Sequence, residues 1–233
     1  QANQYFLSAK FEHDQMSLKP FSTIANLLDD MCEMLLSDSS HSQLMKIEND
    51  LMSALGSHTH LLGVVPNLRK LMPSCAPSTS SSPNWIDSSV SMRYLCGELL
   101  HVISLHSKPI TIVIDDIQFA DPASLLLVGN LLFKAQGAPI FFALCHRDDD
   151  ASMNETLKEW LVSMAMYPLA TIKLESITAE AVNNLISEAL HLSPRLTRPL
   201  SFVLHRKTRG SPLFLRQLLD SLTEQGYIYF DMK

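Results

Sequence analysis

The chain has 233 residues and a mass of 26.1 kDa, with 46% hydrophobic and only 18% charged residues. That suits one large α/β domain, or one domain with a smaller one appended, and excludes global disorder. A formal charge of -6 and a pI near 5.8 set the chain against nonspecific nucleic-acid binding, although Arg195, Arg198, Arg206, Lys207 and Arg209 offer a local basic patch.

Gln4 to Ala9 is apolar and aromatic enough to open the chain as a strand, followed by a polar loop with Lys10, Glu12, His13 and Asp14. Pro20-Phe21-Ser22 starts a helix whose apolar face is Ile24, Leu27, Leu28, Met31 and Leu35. A second helix runs from His41 to Leu55 and stops at Gly56; Leu61 to Val65 reads as an extended connection. The Pro- and Ser-rich run from Pro73 to Pro83 lacks apolar surface to offset its ordering entropy and reads as a mobile loop. A helix over Asp87 to Leu105 then leads through Lys108-Pro109 into a β-branched run, Ile110 to Ile114.

Asp121-Pro122 starts the next helix, with aspartate as cap and proline in the first position. Gly137-Ala138-Pro139 turns into a strand from Ile140 to Cys145, ending at His146-Arg147. A weaker helix, Asn154 to Met164, is followed by a last strand from Tyr167 to Leu174. Strands alternating with helices predict a doubly wound parallel sheet. After about residue 175 the pattern turns helical. Thr178 caps one helix, Ser193 to Pro199 reads as a loop, and Leu200 to Thr208 as a second helix. Gly210-Ser211-Pro212 resets the chain into a third, and Tyr227 to Phe230 is a lone strand, one entrance to a winged helix. The expected division is 1–175 as α/β core and 176–233 as helical subdomain.

The chemistry gathers where Thr111-Ile112-Val113-Ile114 ends in Asp115-Asp116. Apolar residues on both faces predict a central parallel strand covered by helices, and ligands of such sheets gather beyond the strands' carboxyl ends. Adjacent carboxylates there suit Mg²⁺ with a polar group beside it. An acidic turn after a buried strand is the plainer reading. Four cysteines, at 32, 75, 96 and 145, form no close pair and read as reduced thiols of a cytoplasmic protein. His58 and His60 would share a strand face, but no second pair completes a tetrahedral metal site. There is no apolar run of transmembrane length, so no membrane partner is expected. The chain begins at Gln1 rather than Met and reads as part of something longer.

Three segments resemble one family. They are Val113-Ile114-Asp115-Asp116-Ile117-Gln118-Phe119-Ala120-Asp121, Phe142 to Arg147, and Lys207 to Leu215 containing Gly210-Ser211-Pro212. Together they look like the AAA-type, STAND-like P-loop ATPase domains of large multidomain regulators and hybrid kinases. Tyr5 to Glu12 is similar to the second strand of those domains. The resemblance implies Asp115 as the Walker B-type metal residue and Asp116 as the acid that directs the attacking water. It implies Arg147 as a sensor of the γ-phosphate, and Gly210 and Pro212 as the adenine-contacting turn. The family's glycine-rich phosphate loop, ending in lysine and serine or threonine, is absent: no Gly-Lys-Ser or Gly-Lys-Thr occurs. The resemblance therefore implies a P-loop fold missing its first, central strand, which would lie between the strands near Phe142 and Ile172.

The function expected is part of an ATP-binding and hydrolysing switch of a larger signalling protein. Mg²⁺ and ATP would bind the intact parent, and this fragment alone is expected to be inactive. The alternative is a degenerate ATPase fold kept as a protein-interaction scaffold. Expected partners are the upstream phosphate-loop segment and neighbouring regulatory domains, with self-association through exposed strand edges a further route.

Overall fold

The structure is a computed structural model that describes residues 4–12, 21–55, 65–74, 85–148 and 155–228, with side chains not described over 85–91. The Pro- and Ser-rich run beyond Ser74, His58 and His60, Asp149 and Asp150, and the residues expected to end the lone C-terminal strand lie outside these.

In chain order the elements are β1 (Tyr5–Lys10), α1 (Ser22–Asp38), α2 (His41–Leu55), α3 (Pro66–Leu71), α4 (Trp85–His106), β2 (Ile110–Asp115) and a 3-10 turn (Ile117–Phe119). Then come α5 (Pro122–Lys134), β3 (Ile140–Leu144), α6 (Glu155–Met164), α7 (Ala179–Leu190), α8 (Pro194–Thr208) and α9 (Pro212–Glu224). The chain forms two compact units, Gln1–Leu169 and Ala170–Lys233.

The first unit is α/β. Its sheet is parallel, in the order β1-β2-β3, with Tyr5 opposite Ile110 and Ile110 opposite Ile140. Because side chains alternate along a strand, this register puts Tyr5, Leu7, Ile110, Ile112 and Ile114 on one face. All five are buried in a core shared with Leu27, Leu28, Met31, Leu95, Leu99, Val128 and Leu131 of the helices. The other face carries Phe6, Ser8, Thr111, Val113, Phe141 and Ala143. Here the expectation of a sheet covered on both faces fails: Phe6 is 59% and Phe141 63% exposed. A parallel sheet is ordinarily covered on both sides, and fully burying one phenylalanine stabilises by about 1.5–3 kcal/mol.

The fourth expected strand is absent. Residues 168–178 carry no regular structure, and Ile172 and Leu174 are 81% and 91% exposed. β-branched residues there favour extended backbone, but a strand needs a ladder partner, and β3 is an edge of the sheet.

The second unit has a small core of Val182, Ile186, Leu204 and Leu215. The expected loop at Ser193–Pro199 is instead the start of α8, with Pro194 in the first turn and Pro199 inside the helix. Pro199 has no N–H to offer the Arg195 carbonyl, but this part of the helix faces water, where the carbonyl can be hydrated. Tyr227 and Ile228, expected to begin a strand, lie in the turn after α9.

Candidate functional site

β2 delivers Asp115 to its carboxyl end, and the chain turns sharply there. Asp116 adopts left-handed backbone (φ 53, ψ 41) and precedes the 3-10 turn. Aspartate tolerates that conformation better than most residues because its short polar side chain bonds locally. Asp115 Oδ1 accepts the Asp116 N–H at 2.9 Å. The register sets Lys10, the last residue of β1, directly beside Asp115. Its ammonium lies 3.0 Å from Asp116 Oδ2 and 3.5 Å from Asp115 Oδ2. Gln118, which is buried, donates from Nε2 to Asp116 Oδ1 at 2.8 Å and accepts the Arg147 N–H on Oε1 at 3.3 Å. Ile117 N–H bonds the Cys145 carbonyl at 3.0 Å, tying the turn to the end of β3.

The acid pair and the start of the Arg147 segment are thus brought together at one end of the sheet. Sequence reasoning missed Lys10 and Gln118. The signal for Gln118 was its place two residues after Asp116; Lys10 carried none, because only strand register sets it beside the acids. The Lys10 hydrogen bond, followed by that of Gln118, holds the Asp116 carboxyl below its usual range. The hydrogen bond from Asp116 raises Lys10 in turn. The Lys10 ammonium is largely exposed, so solvent screens the pair and the shifts stabilise the fold little.

The sign follows from those directions. The Asp116 contribution is fully present above its ordinary value of 3.8 and is lost as pH falls through the depressed one. The Lys10 contribution is fully present below 10.5 and is lost as pH rises through the raised one. Lys10→Met is expected to move the Asp116 midpoint upward in a carbon-detected NMR titration. An unchanged midpoint would show that the ion pair does not form in solution.

Asp121 caps α5: its Oδ1 accepts the N–H groups of Ala123 and Ser124, both at 3.0 Å. Gly210 and Pro212 belong to the second unit. Ser211 is the cap of α9, accepting the Phe214 N–H at 3.5 Å, and Pro212 fills the first turn. Gly210 has φ 73, and its carbonyl accepts the Ile177 N–H at 2.9 Å. A Cβ at Gly210 would stand 2.3 Å from the Ile177 carbonyl oxygen, so the turn requires glycine on local grounds alone.

The donor set at β2 is two carboxylates, and no group of three or more His, Cys, Asp or Glu gathers among the described residues. That fits a hard cation that keeps most of its water, as Mg²⁺ does beside phosphates. It does not fit zinc. Cys96 is buried, and that burial pushes its thiol up to about 12, which disfavours the thiolate there.

Fold and site therefore define an α/β protein with an acid pair at the carboxyl end of the middle strand of a parallel sheet. Over 159 residues, 68% of the chain, it is 30% identical to the peroxide stress-activated histidine kinase mak3 of Schizosaccharomyces pombe. The chain spans about 6% of the length of that relative. No family model matches the chain, and no solved structure matches it. Among the described residues no helix is long and apolar enough to cross a membrane.

Proposed function

We propose that this chain is part of a nucleotide-dependent switch in a larger signal-transduction protein, with its phosphate-binding unit supplied by sequence outside these 233 residues. One observation carries the reading: the acid pair ends the middle strand of a parallel sheet in which, among the described residues, no strand pairs beyond β3 and Phe6 and Phe141 are exposed. A single strand–loop–helix unit would add the strand to β3 and lay its helix on the bare face. It would also set a phosphate loop beside Asp115 and Asp116. Without that neighbour, 167–174 has no ladder to join. The likeness to part of a stress-activated histidine kinase supports the signalling context.

In the completed protein Asp115 would hold Mg²⁺ through water, and the ion would supply charge neutralisation for the triphosphate. Asp116 would orient the attacking water, with Gln118 fixing its carboxylate. Arg147 would face the γ-phosphate with its fork of donors. The absence of any Gly-Lys-Ser or Gly-Lys-Thr keeps one second reading in play, an ATPase fold retained as a scaffold.

Single-turnover hydrolysis by the completed protein tests the first reading. Asp116→Asn is expected to slow it by about a hundredfold or more, within the roughly 10²–10⁴ range of a positioned base, with ATP affinity nearly unchanged. Asp115→Ala should instead weaken Mg²⁺-dependent binding or turnover. Turnover of Asp116→Asn at the parental rate would remove its catalytic assignment.

A further inference from the structure

Four of the five cations of the basic patch noted in the sequence, Arg195, Arg198, Arg206 and Lys207, lie on α8, and the nucleotide reading makes no use of them. α8 turns its hydroxyl-bearing side inward. Thr197, Ser201, Leu204 and Thr208 are buried. Thr197 Oγ1 donates to Asn183 Oδ1, Ser201 Oγ to the Thr197 carbonyl and Thr208 Oγ1 to the Leu204 carbonyl, each at 2.9 Å. That seam is satisfied and closes on Val182 and Ile186 of α7. The consequence falls on the opposite side. Residues 195, 199, 202 and 206 follow helical spacing and form one outward line, with Leu196, Val203 and Lys207 along one flank and Arg198 on the other. Leu196 is 68% and Phe202 61% exposed.

Charge along α8 is of one sign, with Arg195, Arg198, Arg206 and Lys207 and no Asp or Glu. Between Glu188 and Asp220 the sequence holds Arg195, Arg198, Arg206, Lys207, Arg209 and Arg216 and no carboxylate. Among the described residues none of the four cations on α8 takes part in an ion pair. Helix stability explains only part of the pattern. Arg206 and Lys207 in the last turn suit the helix dipole, whereas Arg195 and Arg198 lie toward the end where acids are favoured. Cations kept against the dipole, beside outward apolar side chains, mark a recognition face rather than a stabilised helix.

We infer that the outward face of α8 docks an acidic, amphipathic segment of another protein or of another domain. Carboxylates of that segment pair with Arg195, Arg198 and Arg206, for which guanidinium forks are suited. Its apolar side chains cover Leu196, Phe202 and Val203, the helix-on-helix mode of recognition. Insertion into a lipid surface fits less well. The outermost line alternates Arg195, Pro199, Phe202 and Arg206, so sinking Phe202 among acyl chains would carry arginines with it, whereas membrane-surface helices segregate the two. The chain's charge of -6 disfavours nucleic acid. This inference does not depend on the nucleotide reading.

The test titrates the full 233-residue chain into a fluorescent synthetic helix of about 18 residues, leucine at helix-spaced positions and glutamate elsewhere. Binding in the tens of micromolar is expected, weakening roughly tenfold between about 50 and about 300 mM salt as charge is screened. Arg195→Glu with Arg206→Glu should weaken it about tenfold or more, and Phe202→Ala about fivefold. Because these side chains are exposed, thermal unfolding of the variants should match the parent. The same peptide with lysine for glutamate should not bind. Three results would overturn the inference: no binding of the glutamate peptide at about 200 µM, equal binding by the charge-reversed variant, or tighter binding to phosphatidylserine vesicles or single-stranded DNA than to the peptide.

Discussion

Gly210→Val is expected to unfold the second unit while the first stays folded. Gly210 sits at φ 73, where a side chain costs about 1–2 kcal/mol. The added Cβ would meet the Ile177 carbonyl oxygen at 2.3 Å, so the backbone must move, and overpacking of this kind adds about 1–3 kcal/mol. Moving it breaks the Ile177–Gly210 hydrogen bond that ties the incoming chain to the turn between α8 and α9. Among the described residues the unit's core has four buried apolar residues, Val182, Ile186, Leu204 and Leu215, so a loss of several kcal/mol approaches its whole stability. Hydrogen exchange should show α7, α8 and α9 losing protection, with the amides of β2 unchanged. Full retention of protection in α8 would mean that the turn can relax around a side chain. The same variant bears on Gly210 as an adenine contact, since a local collapse without nucleotide shows a role in the fold itself.

Fusing a strand–phosphate-loop–helix unit ahead of Gln1 is expected to raise Mg·ATP affinity by at least a hundredfold. The chain alone should bind no tighter than about 1 mM and hydrolyse nothing above background, because the lysine and amide nest that grip the phosphates are missing. The gain has a structural companion: covering Phe6 and Phe141 and pairing β3 should raise the melting temperature of the first unit even without nucleotide. With Phe6 59% and Phe141 63% exposed, about 2–4 kcal/mol of apolar burial is at stake over the two rings. Calorimetry with Mg·ATP on both proteins measures the first effect, and scanning calorimetry the second. Low-micromolar binding by the chain alone would place the phosphate site elsewhere. A rise in melting temperature with no gain in affinity would favour the scaffold reading.

The three observed strands were legible because Tyr5–Lys10, Ile110–Asp115 and Ile140–Leu144 are short apolar runs bounded by turn residues. Helix starts at Asp121-Pro122, Thr178 and Ser211-Pro212 were equally plain, since a cap is chemistry within three or four residues, and all three side chains accept the expected amides. α8 was misjudged at its start because Pro199 looks like a breaker, while the proline that begins the helix is Pro194. The run at 167–174 has strand composition, but a ladder needs a neighbour that local composition does not specify.

Local interactions, then, were written in the sequence: where helices begin, which runs extend, and that two carboxylates follow the middle strand. Tertiary structure decided what depends on register and partners. Only pairing of β1 with β2 brings Lys10 onto Asp115 and Asp116, across more than a hundred residues of chain. Only the layering of helices on one side of the sheet leaves Phe6 and Phe141 bare. And only the packing of α8 on α7 chooses its hydroxyl side for the interior, turning Phe202 and the arginines outward. Composition sets how much apolar surface a chain has to bury; which surface meets which is settled by contacts between residues far apart in sequence.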